Sequence, residues 1–169
     1  MITDLPSSFK HTVISDGILS ACSQSPSKVA YKHGQKTRTY HELKQRIDSI
    51  SGIIHSFQIP MKCNIAIVAS NSIEYMEIVL AASKLGHPIA TVNPKLTAND
   101  IVSICEDAEA KLVFADQKVS SLLVGRNIRG VQEIIGIDNE METLIAQTEC
   151  PSQLLTCLLY TSPSPRDGL

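Results

Sequence analysis

Hydrophobic residues are patterned most regularly between 61 and 94. An unbroken apolar run at 65–69 is typical of a strand buried on both faces of a sheet. The segment Ile73–Leu85 is apolar on most sides and predicts a buried helix, which Gly86 ends. A second apolar run follows at 89–92. Strand, helix and strand within about thirty residues predict a βαβ unit and therefore a parallel sheet.

Three predicted helices begin with the spacing of a capping box, in which a Ser, Thr or Asn precedes an acidic residue by three positions. The pairs are Asn71 with Glu74, Thr39 with Glu42, and Thr97 with Asp100. Ser72 can also cap the first of these helices, so the sequence leaves Asn71 and Ser72 as alternatives. Each pair predicts where a helix begins.

The remaining segments extend the alternation of strand and helix. One helix carries an apolar stripe at intervals of four and three, formed by Leu43, Ile47, Ile50, Ile54 and Phe57. The other predicted elements are a helix at 18–22, a hairpin of strands 29–32 and 36–40 around His33-Gly34-Gln35, a helix at 97–107, a strand at 111–115, a short helix at 117–124 and a strand at 131–137. The fold class is therefore α/β, a mostly parallel sheet with flanking helices.

Composition and charge narrow the classes of function. The net charge is −2, no block of Lys and Arg occurs and Trp is absent, so no nucleic-acid partner is predicted. The cysteines are odd in number and never spaced as CxxC, which indicates reduced thiols and a cytoplasmic location rather than disulfides or a zinc site. No apolar run approaches the roughly 20 residues of a membrane helix, so no transmembrane segment is predicted. Organellar targeting by a C-terminal signal is left open.

The glycine pair Gly125 and Gly130 has the spacing of a phosphate-binding loop. However, Val131 and Gln132 stand where that loop requires Lys and then Ser or Thr. We interpret this segment as a turn before a strand. No GxGxxG follows a predicted strand, so the sequence also lacks the dinucleotide-binding fingerprint.

The histidines and acidic residues form no recognisable catalytic or metal-binding set. No histidine shares a helix face with another histidine or a carboxylate at metal-ligand spacing; the five are His11, His33, His41, His55 and His87. His55 is expected on the polar side of its helix and His87 in a turn. Three acidic residues crowd one helix end and are expected to be solvated: Glu106, Asp107 and Glu109.

Asp116 and Asp138 each follow a predicted strand. Ligands of open α/β sheets bind beyond strand carboxyl ends, which favours a role in binding. An Asp in this position more often caps the next helix, and we take that interpretation as the stronger. The residues by themselves therefore assign no catalytic, cofactor-binding or metal-binding position.

Several short segments follow one another in a characteristic order between 26 and 138. They are TYHEL at 39–43, NSIEY at 71–75, AASKLG at 81–86, VNP at 92–94 with Asp100-Ile101, and AKLVFAD at 110–116. This ordered series resembles the N-terminal region of adenylate-forming enzymes, the superfamily of acyl-CoA synthetases, luciferases and peptide-synthetase adenylation domains. VNP before a helix with Asp-Ile is more similar to fatty-acid and aryl-acid CoA ligases. The chain departs from the pattern at Gln58 and at Lys62-Cys63, where such proteins often carry Gly and Gly-Asp.

The resemblance implies a reaction and its cofactors. Members of the superfamily use ATP and Mg²⁺ to convert a carboxylic acid into an acyl-adenylate and pyrophosphate, and CoA ligases then form a thioester with CoA. A small-molecule carboxylic acid, ATP and CoA are thus the expected partners of a full-length member. The phosphate loop, acyl pocket and catalytic Lys of the superfamily lie downstream of the matched region. We therefore expect the chain to be the truncated start of such a ligase, inactive by itself and binding no cofactor.

The sequence predicts three regions: a weakly structured leader at 1–24, a partial AMP-binding N-terminal domain at 25–156, and an extraneous or disordered tail at 157–169. Tyr160-Thr161-Ser162 is similar to the start of the superfamily's phosphate loop, but Pro163 and Arg166 occupy its glycine positions. Residues 157–167 look like a translated sequencing adapter. The alternative to a truncated ligase is a stand-alone α/β binding or regulatory module without catalysis.

Overall fold

The computed structural model describes residues 14–147, with side chains described from Gly17 onward. Its elements in chain order are α1 (Ile14–Gln24), β1 (Val29–His33), β2 (Lys36–Thr39), α2 (Tyr40–Ser56), β3 (Ile65–Val68), α3 (Ile73–Lys84), β4 (Ile89–Val92), α4 (Ala98–Asp107), β5 (Leu112–Ala115), α5 (Gln117–Leu123), β6 (Glu133–Gly136) and α6 (Asn139–Gln147). The alternation of helix and strand confirms the α/β prediction. The predicted tail lies outside the described residues.

The main sheet has four parallel strands in the order β4-β3-β5-β6. The chain adds β4 on one side of β3 and then returns to add β5 and β6 on the other side. The strand order therefore reverses between β3 and β5. The strands β1 and β2 form a separate antiparallel hairpin, as predicted.

Two hydrophobic cores cover the two faces of the sheet, as a parallel sheet requires. Successive side chains of a strand point to opposite faces, so Ile65 and Ile67 enter one core while Ala66 and Val68 enter the other. Helices α2, α3 and α6 cover the first face, and α4 and α5 cover the second.

The apolar stripe predicted on α2 faces the first core. Four of its five residues are fully buried, and Phe57 packs at the margin; the four are Leu43, Ile47, Ile50 and Ile54. Burial of these four side chains contributes about 6–12 kcal/mol before the cost of ordering the chain, at roughly 1.5–3 kcal/mol each. The stripe is therefore what holds α2 against the sheet.

The capping box predicted for α2 is complete, and the one predicted for α4 is partial. Thr39 accepts the amide of Glu42 at 3.2 Å, and its own amide donates to the Glu42 carboxylate at 2.7 Å. Thr97 accepts the amide of Asp100 at 3.3 Å, and its hydroxyl donates to the Asp100 carboxylate at 2.6 Å. Both helices begin where the sequence predicts.

Ser72, rather than Asn71, caps α3. Ser72 is extended, and its hydroxyl oxygen accepts the amide of Tyr75 at 3.1 Å. Glu74 still stabilises the positive end of the helix, because it lies in the first turn. The predicted stop is confirmed at Gly86, whose φ of 74° lies in the left-handed region that glycine tolerates best.

Three elements differ from the sequence prediction. The first helix is longer, since α1 spans Ile14–Gln24 rather than 18–22. Helix α6 was not predicted, although apolar residues recur in it at helical spacing. Strand β6 begins only at Glu133 because the amide of Val131 donates to Ile128 in a turn. Among the described residues, no helix combines the length and the hydrophobicity that crossing a membrane requires.

The turn between α2 and β3 contains two non-glycine residues in the left-handed region. Gln58 has a φ of 51° and Lys62 a φ of 63°. Both are positions at which the chain departs from the glycine-containing pattern of adenylate-forming enzymes. The departure therefore leaves the turn in place and gives it local backbone strain.

Candidate functional site

The carboxyl ends of β3 and β5 are the expected place for a ligand, because the strand order reverses between them. Ser70 and Asn71 follow β3 here and are exposed, whereas Ser72 is engaged in capping α3. Asp116 follows β5. This edge thus offers few polar groups that local structure does not already use.

Asp116 and Asp138 both serve helix α5. The carboxylate of Asp116 accepts the amide of Val119 at 3.0 Å, so the predicted helix cap is confirmed. The carboxylate of Asp138, at the end of the adjacent strand, accepts the amide of Gln117 at 3.0 Å. Two carboxylates from neighbouring strand ends therefore satisfy the start of one helix.

A small cleft of about 160 Å³ lies beside the end of β3. The hairpin contributes Tyr31, Lys32 and His33 to its lining, and the start of α3 contributes residues 71–73 and Met76. Ligand pockets for drug-sized molecules are typically about 300–1,000 Å³, so this cleft suits only a small group.

The segment from Gly125 to Gly130 lies at the opposite edge of the sheet, before β6. Both glycines have positive φ, at 73° and 87°, and the segment forms the predicted turn before a strand. It borders a groove of about 450 Å³. Arg126 of this segment donates to the side chain of Asn99 at 2.7 Å. The loop is therefore placed away from the carboxyl edge at which α/β sheets bind ligands.

The acidic cluster at the end of α4 lies at this same amino edge. It shares an open depression of about 500 Å³ with Lys111 and Arg129. The carboxylate of Glu106 accepts the backbone amide of Arg129 at 2.9 Å, while Asp107 and Glu109 are exposed. Within residues 14–147, no group of three or more His, Cys, Asp and Glu is arranged to hold a metal ion.

The described histidines are separated from one another. His33, His41 and His55 are exposed, which agrees with the expected polar position of His55. His87 is only 7% exposed, and its Nδ1 donates to the carbonyl oxygen of Cys63 at 3.1 Å. Burial lowers the pKa of His87, so the ring is neutral at pH 7 and acts as a structural link between two turns.

The described cysteines do not form an activated pair. Cys22 and Cys105 are buried, and the Cys22 thiol donates to the carbonyl oxygen of Tyr40 at 3.1 Å. Burial raises the pKa of Cys105 to about 11. A thiol with this pKa is almost entirely protonated at neutral pH and is a poor nucleophile.

A buried carboxylate at the centre of α3 is the largest feature that sequence reasoning missed. Glu77 is 0% exposed and accepts from Arg38 at 3.2 Å and from Arg46 at 2.5 Å. Arg46 also makes two bonds to Glu142, of 2.9 and 2.6 Å. These contacts join the hairpin, α2, α3 and α6. The sequence did contain a clue to this network: Glu77 is a charged residue inside a helix that is apolar on most sides, and a charged residue buried in this way must be paired.

The four residues Arg38, Arg46, Glu77 and Glu142, here called the arginine network, are joined by three ion pairs. Burial alone would lower the pKa of Arg46, but hydrogen bonds to Glu142 and Glu77 outweigh it and raise that pKa. The same bonds hold the pKa of Glu142 below its ordinary value. Arg46 and Glu142 are therefore charged at neutral pH.

Three further ion pairs lie on the same side of the molecule. Lys36 of the hairpin pairs with Glu74 of α3. Asp48 of α2 pairs with Lys44 at 2.5 Å and with Lys84 of α3 at 2.7 Å. Charge is thus concentrated between α2, α3 and the hairpin, where it fixes the relative positions of these elements.

Comparison with known proteins identifies the family. The sequence model of the family described as "AMP-binding enzyme" matches residues 19–164. The chain belongs to the AMP-binding enzyme family. This membership confirms the resemblance of the ordered segments to adenylate-forming enzymes. The match ends inside the segment interpreted as a translated adapter, and that interpretation stays a prediction.

Individual relatives of this AMP-binding chain include ligases and peptide synthetases. It is 27% identical over 127 residues to "Probable CoA ligase CCL5" of Humulus lupulus, which covers 75% of the chain and 22% of that protein. It is 23% identical over 152 residues to "Tyrocidine synthase 3" of Brevibacillus parabrevis, covering 87% of the chain and 2% of that protein. The chain thus spans less than a third of the length of these curated relatives.

Solved structures of the family share the fold. The anthranilate CoA ligase AuaEII in complex with anthranoyl-AMP superposes with a TM-score of 0.80 at 14% identity, covering 92% of this chain and 30% of that chain. The parallel sheet and its flanking helices are therefore those of the N-terminal part of AMP-binding enzymes.

The glycine turn and the strand-end aspartates of the AMP-binding chain lack the features of a phosphate-binding site. The glycine turn lacks the Lys and the Ser or Thr of a phosphate loop and lies at the amino edge of the sheet. At the carboxyl edge, both aspartates are bonded to helix amides. We assign no step of a reaction to these residues.

Proposed function

We propose that this protein is an ATP-dependent ligase that activates a carboxylic acid. In the overall reaction, acid and ATP give an acyl-adenylate and pyrophosphate, and the acyl group then forms a thioester with CoA while AMP leaves. The observation that carries the proposal is the family match over residues 19–164. That match favours a ligase over a free-standing binding module without catalysis.

The role that we propose for residues 25–147 is to form a scaffold beside the reacting groups. Their side chains at the carboxyl edge cap helices, and their buried charges pair with one another. We propose that ATP, Mg²⁺, CoA and the acid bind to other parts of a longer polypeptide. The 169-residue chain is then inactive by itself.

We further propose that CoA is the acceptor of the acyl group, and that the protein works in the cytoplasm without a nucleic-acid partner. A CoA ligase among the relatives supports this choice. A nonribosomal peptide synthetase is also among them, so the acceptor needs a direct test.

Exchange of labelled pyrophosphate into ATP measures the first half of the reaction. The product of the complete transcript, supplied with Mg²⁺ and a panel of fatty and aryl acids, is expected to show acid-dependent exchange. The 169-residue chain is expected to show none. Robust exchange by the 169-residue chain would overturn the scaffold role, and no exchange by the complete product with any acid would count against the ligase.

The acceptor is tested in the same reactions. Addition of CoA should give an acyl-CoA that is detected by mass spectrometry, together with release of AMP. Exchange without any acyl-CoA would instead favour an adenylation domain that loads a carrier protein.

A further inference from the structure

The hairpin of β1 and β2 buries little of its surface. Among residues 29–39, all of which the structure describes, no strand residue is buried, and only Ala30 and Tyr31 pack against the margin of the first core. Val29 is 53% exposed although its side chain is apolar. An isolated two-stranded hairpin is only marginally stable in water. The hairpin therefore depends for its order on its contacts with the rest of the chain.

Two ion pairs join the hairpin to α3. Lys36 pairs with Glu74, and the Nε atom of Arg38 donates to the carboxylate of Glu77 at 3.2 Å. The two cations are two residues apart, so they lie on one face of β2. The two carboxylates are three residues apart, so they lie on one face of α3. One face of the strand thus matches one face of the helix in charge, and both faces belong to the described residues.

The contact between the hairpin and α3 is not closely packed. The cleft of about 160 Å³ lies between these two elements, with residues 31–33 on one side and residues 71–73 and Met76 on the other. Protein interiors contain few spaces larger than a water molecule. Met76 is 37% exposed, so it also contributes little apolar burial. The hairpin is therefore held on α3 by charge more than by apolar packing.

Backbone hydrogen bonds fix the base of the hairpin. The amide of Tyr40 donates to the carbonyl oxygen of Lys28 at 2.9 Å. The amide of His41 donates to the carbonyl oxygen of Pro26, also at 2.9 Å. These bonds attach the base to the start of α2, whereas the pair formed by Lys36 lies beside the turn at the other end of the hairpin. This arrangement lets the turn end move about a fixed base.

We propose that the hairpin separates from α3 as a local opening unit while the main sheet and its two cores stay folded. Segments that open locally have few buried apolar contacts, and the hairpin meets this condition. Separation breaks both ion pairs and widens the cleft, because the two walls of the cleft belong to the two elements that part. Glu77 keeps its bond of 2.5 Å to Arg46, so the buried carboxylate is still paired in the open state.

Hydrogen exchange of the full 169-residue chain, measured by mass spectrometry of its peptides, tests the proposal. The hairpin should exchange through an opening of lower free energy than the opening that exposes β3. Low concentrations of urea should leave the hairpin rate unchanged, because a local opening exposes little surface. Raising the salt concentration from about 0.1 M to about 1 M shortens the Debye length from about 10 Å to about 3 Å, and it should speed exchange of the hairpin relative to β3. One common free energy of opening for the hairpin and β3 overturns the proposal.

Lys36→Gln removes the ion pair beside the turn, at a side chain that is 50% exposed. Exchange of the hairpin should become about twofold to fivefold faster, as expected for the loss of an exposed ion pair, and exchange of β3 should not change. Lys44→Gln is the matched control, because the Lys44 side chain is 49% exposed and its partner Asp48 lies on the same helix. An effect of Lys36→Gln on the hairpin no greater than that of Lys44→Gln contradicts the proposal.

Arg38→Met removes the second ion pair and retains a long side chain, while Glu77 keeps Arg46. Exchange of the hairpin should become about tenfold faster or more, again without a change in β3. Equal acceleration in the hairpin and in β3 would show that the hairpin leaves α3 only when the whole domain unfolds. Lys36→Gln changes an exposed side chain, so it decides the question should Arg38→Met fail to fold.

Discussion

Replacing Glu77 by Ala tests whether the arginine network stabilises the fold. The substitution removes a carboxylate that is 0% exposed and leaves Arg38 and Arg46 without this partner. Their side chains are 19% and 13% exposed, so water restores little of the lost interaction. Arg46 keeps its two bonds to Glu142, whereas Arg38 keeps only a long contact of 3.4 Å to the carbonyl oxygen of Thr37.

The expected cost follows from this burial. Removing one partner of a buried ion pair typically costs about 3–5 kcal/mol, because a desolvated charge is left unpaired. Domains of this size have a free energy of unfolding of about 5–15 kcal/mol, so the variant should lose a large share of its stability. At roughly 2–4 °C per kcal/mol, the melting temperature should fall by about 6–20 °C.

Urea denaturation followed by circular dichroism measures this cost. Glu74→Ala is the matched control, since it removes a carboxylate one turn earlier in α3 whose partner Lys36 is half exposed. The control should cost about 1 kcal/mol or less. If Glu77→Ala costs no more than Glu74→Ala, then the buried carboxylate is not what holds the hairpin and α2 on α3.

A rescue distinguishes the loss of pairing from the loss of volume. The double substitution Arg46→Met and Glu77→Leu replaces charge by apolar packing, and such replacements are often neutral or stabilising. It should therefore recover most of the stability lost in Glu77→Ala, apart from the share that belongs to Arg38. The single variant Glu77→Leu fills the same volume but leaves Arg46 without this partner, so equal recovery in the single and the double variant would indicate that the cost comes from a cavity instead.

Three further predictions concern single positions. Gln58→Gly relieves a φ of 51° and should raise the free energy of unfolding by up to about 1 kcal/mol. The control Gln45→Gly, in an exposed helical position, should lower the free energy of unfolding by about 1 kcal/mol, and equal losses in both variants would refute the strain argument. Cys105 is buried and has a pKa of about 11, so a thiol reagent at pH 8 should not modify it until urea unfolds the chain. Rapid labelling of Cys105 in the folded chain would contradict this burial. The pKa of Glu142 is lowered in the folded state, so its contribution to stability is present above the unfolded value of about 4.5 and is lost as the pH falls through the lower folded value. The stability difference between the chain and Glu142→Gln should therefore shrink as the pH is lowered below 4.5. A difference that does not change with pH would show that charge is not its source.

Local signals in the sequence predicted most of the elements correctly. The βαβ unit, the hairpin and the starts of α2 and α4 each depend on residues a few positions apart, such as Thr39 and Glu42. The choice between Asn71 and Ser72 was open because both have suitable side chains, and only the extended conformation of Ser72 decides it.

The arginine network depends instead on residues that are distant in the sequence. Arg46 is 31 positions from Glu77 and 96 positions from Glu142. No spacing rule pairs such residues, so only the folded structure reveals which cation meets Glu77. Helix α6 was not predicted for a related reason. Its one fully buried residue, Met141, packs in a core formed by residues of α2 and α3, which are distant in the sequence.

At the candidate site, too, local features were predictable from the sequence and long-range ones were not. The sequence placed Asp116 at a strand end and favoured a helix cap, and the hydrogen bond to Val119 agrees. The sequence alone assigned no reacting residue, and the family became recognisable only from the order of several short segments. Chemistry was therefore less predictable than architecture, because the described residues use their polar groups to hold helices in place.

The order of the strands has a consequence for synthesis on the ribosome. The central strand β3 emerges before the other three strands of the main sheet, and β4 follows it directly after α3. When β5 emerges, one edge of β3 is still unpaired and can pair with it, and β6 can then pair with the outer edge of β5. Each new strand thus meets a waiting partner, so the sheet can grow outward from its centre as translation proceeds, with little exposure of unpaired strands to neighbouring nascent chains.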